Sequence, residues 1–285
     1  MRSKPQTIQI FLPDGSPRSI KIAEITNRTI SAVFIPRNKL NQANKRDEIQ
    51  NVGTYFLFGK NEEHSLQQVY IGESEDCLKR LRDHNRNKDF WTHAVVMVSK
   101  TSALTKTHVK YLEHLAVKRA QESSRFYTEN DKVPAAPFVT ESMEADLLDS
   151  FDTIQVLLET LGFPLFDAIE EEPTFNKNIL SLKGKAKGVE IEAKGDLVED
   201  GFIVYKGSEA KLDTVPSCHD YLINLRNQLI KDGILINNGK HLSFNKNYVF
   251  SSPSTAGGVV LGRSTNGWTS WKSKDGKTLD EVKRN

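Results

Sequence analysis

The stretch Gly53-Thr54-Tyr55-Phe56-Leu57-Phe58-Gly59, followed by Gln68-Val69-Tyr70-Ile71-Gly72, decides how the chain is read. Both runs are short and rich in aromatic and β-branched residues, and the residues between them are polar. Residues 52–58 and 68–71 therefore read as two strands of an antiparallel hairpin. Ser74 is placed to cap a helix, with Glu75 and Asp76 in its first turn where the helix dipole favours anions. That helix runs to about residue 88, with Leu78 and Leu81 inward and Lys79, Arg82 and Arg86 outward. Residues 91–99 contain Ala94-Val95-Val96-Met97-Val98, an apolar run suited to a central buried strand. Thr105 caps a second helix to about residue 122, with Val109, Leu112, Ala116 and Ala120 as its apolar stripe.

This frame brings a set of polar residues into order. Arg80 and His84 lie one helical turn apart and share a face. Arginine suits a bidentate contact with a phosphate and keeps its charge there. A histidine nearby can hold or pass a proton close to neutral pH. Glu113 falls at the edge of the stripe formed by Val109 and Ala116, where a carboxylate faces a cleft margin and can hold a hard cation together with waters and phosphate. Taken singly, each has a plainer reading: Glu113 as a salt-bridge partner of Lys110 or Arg119, Arg80 and His84 as a solvated basic face, and Tyr55 and Tyr70 as strand formers with a hydroxyl tip. As a set they supply what phosphodiester hydrolysis needs: an activated water, stabilised phosphoryl oxygens and help for the leaving oxygen.

In this order residues 53–113, roughly a quarter of the chain, resemble the GIY-YIG endonuclease superfamily. Gly53-Thr54-Tyr55 stands for the first motif, with Thr54 in place of the usual aliphatic residue, and Tyr70-Ile71-Gly72 matches the second in full. Lys79-Arg80-Leu81 with His84 matches the helix motif, and Tyr111-Leu112-Glu113 the carboxylate position. The resemblance implies that Arg80 stabilises the phosphate and that Glu113 binds one Mg²⁺ or Mn²⁺. It also implies that Tyr55, Tyr70 and His84 arrange the nucleophile and protons. Asn130, ahead of Pro134, is matched to the late polar residue of that pattern.

Outward from this stretch, residues 7–12, 19–23 and 29–35 alternate as three strands, with Pro13-Asp14-Gly15 as a turn. Leu147, Phe151, Ile154, Leu158 and Leu161 recur at helical spacing, and Gly162 with Pro164 ends that helix. Residues 167–173 read as a hinge. Beyond it come β-like stretches at 188–193 and 201–205, and a helix over about 218–232 capped by Ser217. The Asn266-Gly267 pair reads as a tight turn before Trp268 and Trp271. Lys206-Gly207-Ser208, Leu225-Arg226, Ser251-Ser252-Pro253-Ser254 and Asn266-Gly267-Trp268 resemble an uncharacterised domain that recurs C-terminal to GIY-YIG modules. Arg263, Trp268, Trp271 and Lys272 are there candidates to stack on bases and touch phosphates. The alternative is that both tryptophans anchor a small core.

The 285 residues accommodate one large or two to three modest domains. Net charge is +2, but it is uneven. Residues 1–140 carry 22 basic against 15 acidic side chains, residues 141–172 carry ten acidic and no basic ones, and residues 173–285 carry 17 against 12. Two basic parts around an acidic one suggest polyanion-facing surfaces joined by a connector that faces elsewhere. Met1-Arg2-Ser3-Lys4-Pro5 has no apolar signal core, and no run approaches the roughly 18 apolar residues of a membrane span. Cys77 and Cys218 lack zinc-ligand spacing and read as free thiols of a reducing cytoplasm.

The expectation is an α+β protein in four parts. These are an N-terminal β unit (1–50), a GIY-YIG domain with a small antiparallel sheet flanked by helices (51–138), an acidic helical connector (139–173) and a C-terminal α+β targeting domain (174–285). The expected function is Mg²⁺- or Mn²⁺-dependent cleavage of DNA, with RNA left open as a substrate and no membrane partner. The alternative is a catalytically silent nucleic-acid-binding or regulatory protein on a nuclease fold.

Overall fold

The run 94–98 is buried because its strand has a neighbour on each edge and a packed layer on each face. The computed structural model describes residues 5–60, 64–167, 179–186 and 188–283. It contains two compact units, Met1–Glu62 with Leu66–Asp167, and Glu63–Ser65 with Ala168–Asn285. Both mix helices with antiparallel sheets, so the chain is α+β.

In the first unit the order is β1 (Ile8–Phe11), β2 (Lys21–Ile25), β3 (Ile30–Pro36), three short 3₁₀ turns, β4 (Gly53–Gly59), β5 (Gln68–Ser74), α1 (Cys77–Asn87), β6 (Trp91–Ser99), α2 (Lys106–Ser123), β7 (Tyr127–Thr128) and α3 (Glu141–Thr160). The strands form one seven-stranded sheet in the order β1-β2-β3-β6-β4-β5-β7. Every neighbouring pair is antiparallel except β5 and β7. The N-terminal strands are thus continuous with the sheet of the 53–113 region, because β3 pairs along its full length with β6.

Alternation assigns the two faces of this sheet. Phe56, Phe58, Ile71, Val95 and Met97 point to the side covered by α2 and α3. Tyr55, Leu57, Val96 and Val98 point to the side covered by α1 and the 3₁₀ turns. The acidic helix α3 is a layer of this core: Leu147, Phe151, Ile154, Leu157 and Leu158 are buried against the sheet and α2. Two of its acidic side chains bind neighbours, Asp149 pairing with Arg28 and Glu144 accepting from the Tyr111 hydroxyl at 2.5 Å. The hinge read at 167–173 lies outside the described residues beyond Asp167.

The helix preceding the site starts later than its sequence suggests. Asp76, not Ser74, caps α1 by accepting from the Lys79 amide at 2.9 Å. Ser74 instead accepts from the Asp76 amide at 3.1 Å, closing the turn before the helix. Thr105 caps α2 as expected, in a capping box with His108.

The second unit runs β8 (Leu180–Ala186), β9 (Val189–Val198), β10 (Gly201–Val204), β11 (Glu209–Ala210), α4 (Asp220–Lys231), β12 (Leu235–Asn237), β13 (Leu242–Phe244), β14 (Tyr248–Phe250), α5 (Pro253–Leu261), α6 (Gly267–Ser270) and α7 (Leu279–Lys283). Its strands form a four-stranded sheet, β14-β10-β9-β8, and a three-stranded one, β11-β13-β12. Two local expectations are corrected. The helix read from Cys218 with a Ser217 cap starts at Asp220 behind His219, with no side-chain cap. Asn266-Gly267 is no hairpin turn: the Asn266 side chain accepts from the Trp268 amide and caps α6. A Cβ on Gly267 would lie 2.1 Å from the Pro253 carbonyl carbon, so only glycine admits this approach.

Trp271 is fully buried, 4.6 Å from the Phe202 ring, with its indole N–H donated to the Pro253 carbonyl at 3.0 Å. It is a core residue and offers no face for a base, which corrects its assignment as a stacking residue. Trp268 is half-buried, and Arg263 and Lys272 are exposed. No described helix is long and apolar enough to cross a membrane. Replacing Trp271 with Ala is expected to cost the second unit about 3–5 kcal/mol in urea unfolding. Trp268→Ala should retain a cooperative transition.

Candidate active site

Register places the two tyrosines. Tyr55 lies opposite Gly72 and Leu57 opposite Tyr70 across the β4–β5 ladder, and directly opposed residues share a face. Both phenols therefore project toward α1. A Cβ on Gly72 would lie 2.2 Å from the Tyr55 Oη and 2.4 Å from its Cζ, so the Tyr55 ring fills the space that glycine leaves. The Gly of the second motif is thus required by the Tyr of the first.

From α1, His84 meets this face. Its Nε2 lies 2.9 Å from the Tyr55 Oη, and its ring sits 5.4 Å from that of Tyr55 and 5.1 Å from that of Tyr70. Arg80, one turn earlier, donates its Nε–H to the Tyr55 Oη at 3.3 Å. An arginine can only donate, so the phenol oxygen accepts there. With the imidazole proton on Nδ1, the phenol's own proton is directed to His84 Nε2. Lys88 lies over the Tyr70 ring, 4.4 Å from its centroid.

The protonation states follow from burial. Tyr55 is 1% exposed, and desolvation with the neighbouring Tyr70 raises its pKa well above the ordinary phenol value. Desolvation, then Arg80 and Lys88, lower His84 to about 4. Near neutral pH the pair is a neutral phenol hydrogen-bonded to a neutral imidazole.

Glu113 comes from α2, which packs on the opposite face. The β7 strand pairs only with Gln68 and Val69 of β5, and the Asn130 amide closes the next pair. It accepts from the Ile71 N–H at 3.0 Å and donates to the Ile71 carbonyl at 2.8 Å. Asn130 is therefore a bracket on the Tyr70-Ile71-Gly72 segment, and both ends of its amide are spent on backbone. The plainer alternative for Glu113, a salt bridge to Lys110 or Arg119, is absent among the described residues, and Arg119 faces Glu122 at 4.0 Å. Glu113 is half-buried with no hydrogen-bond or ion-pair partner among the described residues. Desolvation, then repulsion from Glu73, push its pKa up to about 7 against opposing pulls from Lys106, Lys110 and Arg80. Its charge is in turn felt at Tyr55.

The expected residues Tyr55, Tyr70, Arg80 and His84 thus form one contact cluster with Glu113 within its electrostatic reach, while Arg263, Trp268, Trp271 and Lys272 belong to the other unit. Glu73, Lys106 and Lys88 were not singled out from sequence. For Glu73 a signal existed, since it follows Gly72 directly. No group of three or more His, Cys, Asp or Glu gathers as a preformed metal cluster among the described residues.

Among known proteins, residues 182–283 match the family described as Domain of unknown function (DUF4357). No curated protein and no solved structure matches the chain significantly. The second unit thus carries an uncharacterised domain, and the resemblance of residues 53–113 rests on their motifs and placement.

Two outcomes are expected. Gly72→Ala should lower the melting temperature of the first unit, because the added methyl displaces Tyr55 from His84 and Arg80. Glu113→Gln should raise it at pH 8. The folded chain holds the Glu113 proton between pH 4.5 and 7 where the unfolded chain has lost it. The cost of the ionised form is therefore absent below 4.5 and complete above 7. The gain should vanish in melting curves near pH 4.5.

Proposed function

We propose that the first unit is a divalent-metal-dependent endonuclease of the GIY-YIG type acting on DNA, with the second unit helping to position the substrate. The observation that carries this reading is the contact cluster of Tyr55, His84, Arg80 and Tyr70 beside a half-buried carboxylate without a partner. A structural ion pair would have satisfied Glu113. A carboxylate destabilised by burial and a like charge instead gains from a hard cation, so the residues present fit Mg²⁺ or Mn²⁺. When bound, that cation supplies charge stabilisation at a phosphoryl oxygen or the leaving oxygen.

The chain's own groups account for the rest. Arg80, oriented by its bond to Tyr55, binds the non-bridging phosphate oxygens. The raised pKa of Tyr55 argues against a free phenolate as base near neutral pH. Its hydrogen bond to a neutral imidazole lets the phenol pass its own proton on as it takes up another, so no free phenolate is needed. As water attacks phosphorus, its proton passes to the Tyr55 oxygen while the phenol's proton moves to His84 Nε2. The new O–P bond replaces the bond to the leaving deoxyribose oxygen, which takes a proton from solvent, while the proton drawn from the attacking water's side of the relay rests on His84. Tyr70, half-exposed beneath Lys88, lines the approach.

Cleavage of supercoiled and branched DNA with Mg²⁺ or Mn²⁺ tests the reading. Wild type should nick or linearise DNA, and Arg80→Ala should cut slower by about a hundredfold or more. Glu113→Ala should be inactive at any practical metal concentration. Uncut DNA that remains bound to the wild-type protein would establish the silent nucleic-acid-binding alternative instead.

A further inference from the structure

On the α2 side of the sheet edge, three oxygen-bearing side chains come together with unspent capacity. Glu73 is largely buried, its side chain 13% exposed, yet its one partner among the described residues is Lys106, whose Nζ contacts Oε2 at 2.7 Å. Its other oxygen, Oε1, accepts no hydrogen bond among the described residues, which leaves it open to a ligand. Thr54 lies directly opposite Glu73 across the β4–β5 ladder and so shares its face. Its hydroxyl is buried and has no hydrogen-bond partner, in a side chain 1% exposed. An unsatisfied buried hydroxyl is destabilising, and a valine of the same shape would avoid that cost. Glu113 is the third, and Glu73 is the like charge acting most strongly on it.

Hard oxygen donors with open lone pairs, and a lysine lying against one of them, are what a divalent-cation site looks like with a side-chain ammonium standing in for part of the ion's charge. We propose that Glu73 is a second carboxylate toward the cation bound by Glu113, that Lys106 is the internal counter-charge the cation displaces, and that the Thr54 hydroxyl serves the same ion or its waters. This rests on the endonuclease reading in its choice of a divalent cation and adds residues which the motif resemblance does not supply. It also accounts for Thr54 at the centre of the first motif, where an aliphatic residue would pack as well but could not bind.

Metal binding by the full-length protein, read without DNA, tests this. Mn²⁺ is titrated while the free ion is followed by electron paramagnetic resonance. Glu113→Gln should abolish binding, and Glu73→Gln, which keeps the shape of the side chain, should weaken it about tenfold or more. Lys106→Met should tighten binding, because the competing charge is gone. A gain from Lys106→Met stands apart from any general damage, since a variant that merely disturbs the fold binds more weakly. Wild-type affinity in Glu73→Gln beside lost binding in Glu113→Gln would overturn the proposal while leaving the nuclease reading intact. Unchanged affinity in Lys106→Met would overturn the counter-charge role. A wild-type protein that neither binds Mn²⁺ nor cuts DNA would sink both readings. One that cuts DNA with Mn²⁺ present yet binds none measurably would sink this proposal alone.

Discussion

The packing of the Tyr55 ring over Gly72 is the constraint on which the site depends. It fills the space of a missing side chain in the partner strand, and so fixes the β4–β5 register at that pair. A one-residue slip would send Tyr55 and Tyr70 to opposite faces and place a side chain where the phenol lies. With the register set, α1 needs only to present residues one turn apart for Arg80 and His84 to reach the same oxygen. Asn130 secures the other edge of the strand by imitating a backbone partner at Ile71. The bracket, the ladder and the helix all serve to hold one phenol oxygen between a donor and an acceptor.

The electrostatics of this region run against stability in two places. A neutral histidine and a half-buried carboxylate respond to pH in opposite senses. The His84 contribution is complete above its ordinary value of 6.5 and is lost as pH falls through about 4. The Glu113 cost is absent below 4.5 and complete above 7. Elsewhere in the unit two carboxylates of α3, Asp149 and Glu144, find partners in Arg28 and Tyr111, while Glu159 Oε1 is buried without one. At the β5 edge Thr54 adds a buried hydroxyl without a hydrogen-bond partner, and polar groups left unmet beside a cleft are commonly functional rather than structural.

The second unit is held by polar anchors of another sort. Arg226, 3% exposed, donates to the carbonyls of Lys211, Leu212 and Val259 and ties α4 to the segments around it. Burial lowers its pKa, and Cys218 and Asp213 oppose that shift. Leu225 beside it is only half-buried, so the inward face of α4 is Leu222, Arg226 and Leu229. An arginine in an apolar pattern reads as a surface residue because sequence periodicity carries no information about backbone carbonyls that other segments deliver.

By itself the sequence determined the hairpin, the buried central strand, both helices with the Thr105 cap, and the order of Tyr55, Tyr70, Arg80, His84 and Glu113. Those follow from alternation, apolar runs and helical spacing, which are local and encoded in consecutive residues. Only the tertiary structure decided that residues 8–36 extend the same sheet and that α3 is a layer of its core, because pairing between distant strands leaves no local trace. It also separated the two tryptophans, burying Trp271 under Phe202 while Trp268 stays at the surface margin. At the β5 edge it left Glu113 unpaired, set Glu73 against Lys106 and stranded the Thr54 hydroxyl. Those pairings depend on which side chains from distant segments arrive at one place, and that is settled when the core closes rather than by the spacing of residues along the chain.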